Sequence, residues 1–293
     1  MAVTSQGSVW RRSLARAIAP AYATNRKVAA IVLGGSTSRG IADRYSDIEL
    51  GVFWHEPPTE EEREVAYHAA GGTCRTPYSF NDLELEEWSE EFLVYGVKLD
   101  LIHRTVATTT RLIDDVLVRY DTSAPKQHLL STMQHAIPLA GKDLLEAWQV
   151  RLKHYPDELA RAVVRQHLSF GPKWWLEMLA ERGEILPLYD VFCKIGHVLL
   201  AVLLGLNRRY HPGDKWVDQT VATFLAAPPR FVSRLNSAFH LDPMAGVQVM
   251  NGLVEEVIVL IETHMPEIDT SHTRQRIEKR RSLWDVAPPT VPV

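Results

Sequence analysis

Three acidic residues carry the chemistry that this sequence suggests. Asp47 and Glu49 stand two apart in Ser46-Asp47-Ile48-Glu49-Leu50, and Asp100 stands in Lys98-Leu99-Asp100-Leu101. On a β-strand, residues two apart project from one face, so Asp47 and Glu49 would point the same way while Ile48 turns into the core. Parallel carboxylates repel unless a cation lies between them. Mg²⁺ is suited to that place, because it binds through one or two carboxylates together with substrate phosphates. Asp100, flanked by leucines, would leave the buried face of its own strand. If that strand neighbours the first, three carboxylates meet at one edge of a sheet, the donor set that two-metal phosphoryl chemistry requires. The plainer readings are two acids on the wet face of an amphipathic strand, and an Asp100 paired with Lys98 on its own face.

Upstream lies Gly34-Gly35-Ser36-Thr37-Ser38-Arg39-Gly40. Adjacent glycines and a serine after a strand give a tight turn with exposed backbone N–H groups, suited to phosphate oxygens. Ser36 adds a hydroxyl donor and Arg39 a charge-assisted fork. Gly35 to Gly40 has the spacing of a P-loop, but Ile41 stands where lysine is needed, and no GxGxxG dinucleotide motif occurs. Taken alone the segment is an ordinary strand-ending turn; its meaning comes from the carboxylates that follow it.

Two small residues and Ser36, then the Asp47-x-Glu49 strand, then Asp100 on a later strand, together resemble the polymerase-β-type nucleotidyltransferase superfamily. Tyr45-Ser46-Asp47-Ile48-Glu49 is especially similar to antibiotic nucleotidyltransferases of the kanamycin and streptomycin–spectinomycin type. The likeness covers about residues 28 to 103 and continues more weakly through Phe170-Gly171-Pro172-Lys173-Trp174 and Gly205-Leu206-Asn207-Arg208-Arg209. The resemblance implies an α/β (α+β) nucleotidyltransferase-type N-terminal domain with a mixed sheet, followed by an all-α helical bundle. It implies that Asp47 and Glu49 bind Mg²⁺, with Asp100 a third ligand or the base, and that Gly35, Ser36, Arg39 and Lys173 contact ATP or another NTP. Kanamycin-type enzymes place a glutamate base about one turn before the segment matching Gly171 to Trp174. Here Ser169 falls at that place with Gln166 and His167 beside it, so the base is either His167 or Asp100. Such relatives build their sites across a dimer, which makes a homodimer the expected assembly.

The elements that must position these residues are legible as patterns. Val28 to Leu33 is a continuous apolar run ending at glycines, a buried strand. Asp47 to Phe53 and Gly96 to His103 alternate polar and apolar residues, as half-buried strands do. Residues 8 to 24 read as a first helix, and Thr59 to Tyr67 as a second. Glu84, Glu86, Glu87, Glu90 and Glu91 form an acidic cluster before the third strand, either a surface drawing a cationic acceptor or a solvated helix. From about Thr108 the pattern is helical, with long segments at Asp157 to Arg182, Leu188 to Leu206 and Pro243 to His264 punctuated by prolines. The division is taken as 1–130 for the nucleotidyltransferase domain and 131–293 for the helical domain. Pro288 to Val293 read as a loose tail.

Composition bounds the partners. The 293 residues are 46% hydrophobic and 23% charged, the profile of a globular protein with a real core. A net charge of −4 argues against a nucleic-acid partner, which would be met by a basic face. Two separated cysteines, Cys74 and Cys193, offer neither a disulfide framework nor a zinc knuckle and suit the cytoplasm. No run approaches the ~18 consecutive apolar residues of a membrane span, and Gly196 to Leu206 reads as a buried core helix. The sequence thus predicts a cytoplasmic enzyme passing NMP, foremost AMP, from an NTP to a hydroxyl of a small acceptor such as an aminoglycoside-like antibiotic. A protein or RNA acceptor, or a non-catalytic nucleotide-binding or antitoxin-like module on the same scaffold, is the alternative.

Overall fold

The computed structural model describes residues 4–82 and 84–281, so the tail from Pro288 lies outside the described residues. Two compact units result: Met1–Leu159 with Tyr210–Gly213, and Ala160–Arg209 with Asp214–Val293.

The first unit is built on a six-stranded sheet of order β3-β4-β5-β2-β1-β6. Its strands are β1 (Val28–Leu33), β2 (Ile48–Trp54), β3 (Thr73–Asp82), β4 (Glu87–Val94), β5 (Val97–Thr105) and β6 (Ile137–Ala140). Only β2 and β5 run parallel, so the sheet is mixed, as expected. The helices of this unit are α1 (Gln6–Ala23), α2 (Gly35–Arg39), α3 (Glu60–Ala69), α4 (Val106–Leu117), α5 (Ala124–His135) and α6 (Lys142–Leu152). Ile31, Leu33, Ile48, Leu50, Leu99 and Leu101 are buried with Ile18 and Tyr22 of α1 and Ala66 and Tyr67 of α3. Because side chains alternate along strands, this apolar face sends Glu49 and Asp100 to the other side.

The buried face also holds a polar chain that crosses four strands. Trp54 Nε1 on β2 donates to His103 Nδ1 on β5 at 3.1 Å, which leaves the ring proton on Nε2 to meet Glu90 Oε1 on β4 at 3.1 Å. Arg75 on β3 donates from Nε and Nη2 to Glu90 Oε2 at 2.9 and 2.5 Å. Burial opposes ionisation of Glu90, but His103 and Arg75 hold its carboxyl below the ordinary range. Burial also lowers His103, which is fully enclosed.

The β3–β4 hairpin is a correction to the solvated-helix reading of the Glu84–Glu91 region. A run of glutamates favours helix by propensity, but here cross-strand pairing overrides it. Glu90 meets Arg75, Glu87 meets Arg104, and Glu91 meets Lys98. Strand β6 was likewise not foreseen. It pairs antiparallel with β1, so the sheet is completed beyond the expected division at residue 130.

The second unit is helical. Its α8 (Lys173–Glu181), α9 (Ile185–Leu206), α11 (Phe231–Ala238) and α12 (Pro243–His264) share a core of Leu176, Leu179, Leu188, Phe192, Ala238, Val247 and Met250. The expected long helix from Asp157 is two helices, α7 (Asp157–His167) and α8, interrupted ahead of Pro172. Short helices α10 (Val217–Val221) and α13 (Ser271–Ile277) complete the described chain. By length and mean hydropathy α9 and α12 are each apolar enough to cross a bilayer. The uninterrupted-run criterion missed this because Asp190, Lys194, Glu255 and Glu256 break the runs without lowering the average enough. Within the unit their apolar faces pack into the shared core.

Candidate active site

The site begins with strand register. Ile48 pairs with Leu99, Glu49 with Asp100 and Leu50 with Leu101 across the parallel β2–β5 junction. Ile48 and Leu99 are fully buried, so Glu49 and Asp100 emerge side by side on the opposite face. Asp47, immediately before β2, lies close enough for its charge to act on the Asp100 carboxyl. The three acids expected to gather therefore do gather. Across the antiparallel β4–β5 junction Asp100 is also the register partner of Glu91. The row Glu91–Asp100–Glu49 spans three adjacent strands, and Glu91 was not singled out in advance as part of it.

The glycine-rich segment closes on the Glu49 end of this row. Instead of an open turn it forms α2, a single helical turn ended by Gly40 at φ 81°. The Gly34 N–H donates to the Glu49 carbonyl at 2.9 Å, fixing the entry of α2 to β2. Thr37 Oγ1 donates to the Asp47 carbonyl at 3.3 Å. Gly35 sits at φ 61°, and a Cβ there would fall 2.4 Å from the Glu49 carboxyl carbon. Only glycine permits both the left-handed conformation and that approach. Ser36 is half-buried on the same turn. Arg12 of α1 donates to the carbonyls of Thr37 and Ser38 at 3.1 and 2.9 Å, satisfying the C-terminal end of α2. Nothing local in the sequence marks Arg12 for this role.

Arg39, the last residue of α2, is half-buried. Its Nη2 donates to Ser131 Oγ of α5 at 3.1 Å, while Nε is enclosed with no hydrogen-bond partner among the described residues. Burial lowers its pKa and the charge of Glu49 opposes that shift. An enclosed guanidinium with donor capacity to spare suits a phosphate oxygen. Ser131, 92 residues away in sequence, could be found only from the structure.

Lys98 lies on the same sheet face, as its spacing from Asp100 predicts. Its ammonium is 2.9 Å from Asp100 Oδ1 and 2.9 Å from Glu91 Oε2. Burial raises the Asp100 pKa; Lys98 opposes the shift, and the contact with Asp47 adds to it. Hydrogen bonds to Glu91 and Asp100 raise Lys98 in turn. The pairing that competed with the catalytic reading of Asp100 is thus present together with the carboxylate row.

A divalent cation fits this donor set. Its oxygens are hard, and a cation would relieve the mutual repulsion of neighbouring carboxylates. Among the described residues no group of three or more His, Cys, Asp or Glu is arranged so that it could hold a metal ion by itself. A metal here would need one or two of these carboxylates together with oxygens of a bound phosphate.

His167 and Lys173 belong to the second unit. The His167 Nδ1–H donates to the Val163 carbonyl at 2.8 Å, leaving Nε2 as the basic nitrogen. The Lys173 ammonium is held by Glu255 at 2.9 Å and by Glu278, and those contacts raise its pKa, Glu278 foremost. Of the acidic cluster before β5, Glu84 is bonded to Ser123, Glu86 and Glu87 pair with Arg111 and Arg104, and Glu90 is buried. The two cysteines are free.

Residues 122–217 match a family described as a domain of unknown function, DUF4037. No curated protein is significantly similar in sequence to the chain. Among solved structures, a nucleotidyltransferase-like protein from Exiguobacterium sibiricum 255-15 is 14% identical, with 88% of this chain and 80% of that one covered and a TM-score of 0.35.

Proposed function

We propose that the chain is a metal-dependent nucleotidyltransferase that passes NMP, foremost AMP, from an NTP to a hydroxyl group of a small acceptor. The observation that carries this reading is the direct pairing of Glu49 with Asp100 on neighbouring parallel strands, with Asp47 against Asp100 and Gly35 against Glu49. Asp47, Glu49 and Asp100 would hold Mg²⁺, which would neutralise the triphosphate and steady the departing pyrophosphate. Arg39, positioned by Ser131, donates to a phosphate oxygen, and Ser36 supplies a hydroxyl beside it. The acceptor oxygen forms its bond to the α-phosphorus in line, the α–β phosphoanhydride bond breaks, and pyrophosphate leaves. The acceptor proton passes to a base. Within the sheet Asp100 is the candidate for that role if it is not the third metal ligand. His167 is the second candidate on the resemblance alone. An aminoglycoside-like acceptor follows from the resemblance of Tyr45-Ser46-Asp47-Ile48-Glu49 alone.

The test is pyrophosphate release from each of ATP, GTP, CTP and UTP with Mg²⁺, screened against aminoglycosides, lincosamides and other hydroxylated molecules. Acceptor-dependent release that is lost in Asp47→Ala/Glu49→Ala supports the assignment and identifies the acceptor. Nucleotide binding without release for any small acceptor shifts the acceptor to a protein or RNA. A chain that binds no nucleotide is not this enzyme.

A further inference from the structure

We infer that Lys98 is a built-in cation of the carboxylate row, competing with the divalent metal for Asp100 and parked on Glu91 when the metal binds. The inference rests on the metal-binding reading of the same site. Lys98 reaches two carboxylates that are themselves register partners, Glu91 on β4 and Asp100 on β5, at 2.9 Å each. Glu91 stands on the far side of Asp100 from Glu49 and Asp47. The ammonium is therefore anchored at the outer end of the row. The lysine is about half exposed, so its stem can swing while Glu91 keeps one end of the ion pair. The ammonium reaches both Asp100 oxygens, Oδ1 at 2.9 Å and Oδ2 at 3.2 Å, so a divalent ion that takes either one competes with it. Loading the site therefore breaks the Lys98–Asp100 contact and leaves the Lys98–Glu91 contact in place.

The experiment is Mn²⁺ binding to the full chain without nucleotide, read from the free-ion electron paramagnetic resonance signal at low salt. Lys98→Met is expected to tighten Mn²⁺ binding about fivefold, the scale of losing one exposed ion pair. Lys98→Arg, whose fork grips a carboxylate through two bonds, is expected to weaken it. Lys27→Met removes the same charge from a pair with Glu56 and Glu62 elsewhere in the unit and is expected to leave the affinity unchanged. Melting curves check that each variant is folded. Equal affinities for wild type and Lys98→Met, or equal tightening by Lys27→Met, would overturn the role of Lys98 while leaving the metal site intact. Failure of wild type and all variants to bind Mn²⁺, both alone and beside a non-hydrolysable ATP analogue, would instead overturn the metal reading on which the inference rests.

Discussion

At the scale of single residues, the site depends on one backbone position as much as on its acids. Gly35 holds φ 61° with the Glu49 carboxylate where a side chain would begin. Alanine there meets the left-handed penalty of about 1–2 kcal/mol and displaces the Glu49 carboxylate. Gly35→Ala is expected to lower stability by about that amount in denaturant titration. Pyrophosphate release should fall by about 100-fold or more, as misplacement of a reacting group by about an ångström does. A variant as active as wild type would show that the close approach is incidental. The acids and this glycine were legible because their signals are local: a two-residue period, a doubled glycine, an acid between leucines. Ser131 and Arg12 were not legible, because each acts on α2 from another helix and a lone serine or arginine on a helix face carries no mark of its target. Lys98 was legible as a partner of Asp100 from spacing alone. Its second partner, Glu91, emerged only with the hairpin that sets β4 beside β5.

At the scale of elements, strands with an alternating or continuous apolar pattern were foreseen, and those whose pattern was masked by charge were not. β4 reads as acidic sequence until Arg75, Arg104 and Lys98 are seen to face it from β3 and β5. β6 is four residues with a proline inside, too short for any period to show. α3 illustrates the opposite case, an element announced by its own start. Thr59 accepts from the Glu62 N–H, and the Glu62 carboxylate returns to the Thr59 N–H at 2.8 Å. Thr59→Ala should cost about 1 kcal/mol, measured by chemical unfolding at neutral pH. The Thr59 N–H, followed by Lys27, holds the Glu62 carboxyl down to about 2. Its folded pKa is thus below the unfolded value. The stabilisation it supplies is complete above the ordinary glutamate range and disappears as pH falls from about 4.5 towards 2. Glu62→Gln should therefore be less stable than wild type at pH 7 and converge with it at the acid end. A difference that is constant across that range would show that the carboxylate charge is not what stabilises the helix start.

At the scale of the whole molecule, the chain divides later than composition suggests, because the change from mixed to helical sequence is not the end of the first packed unit. β6 lies beyond residue 130 and covers the edge of β1, pairing Leu33 with Ile137 and Val32 with Pro138. Trp148 of α6, also beyond it, packs edge-on against Phe53 of β2 at 5.0 Å. A chain ending at residue 130 would leave β1 as an exposed apolar edge, a template for association, and would remove Ser131 from Arg39. It is expected to be largely insoluble and to lack near-ultraviolet circular dichroism. A chain ending at residue 159 keeps the sheet but loses the return of Tyr210 to the first unit. That ring is buried 4.9 Å from Tyr155, and its hydroxyl donates to the His154 carbonyl at 3.0 Å. Its contribution is measurable in the full chain, where Tyr210→Phe removes about 1 kcal/mol for the hydrogen bond and Tyr210→Ala about 3–5 kcal/mol for the buried ring. The fragment ending at 159 should therefore be soluble and structured but melt below the corresponding transition of the intact protein. If instead the fragment ending at 130 were soluble with native-like side-chain dichroism, β6 and α6 would be ornaments on the sheet. The placement of Arg39 would then have to come from the first 130 residues alone.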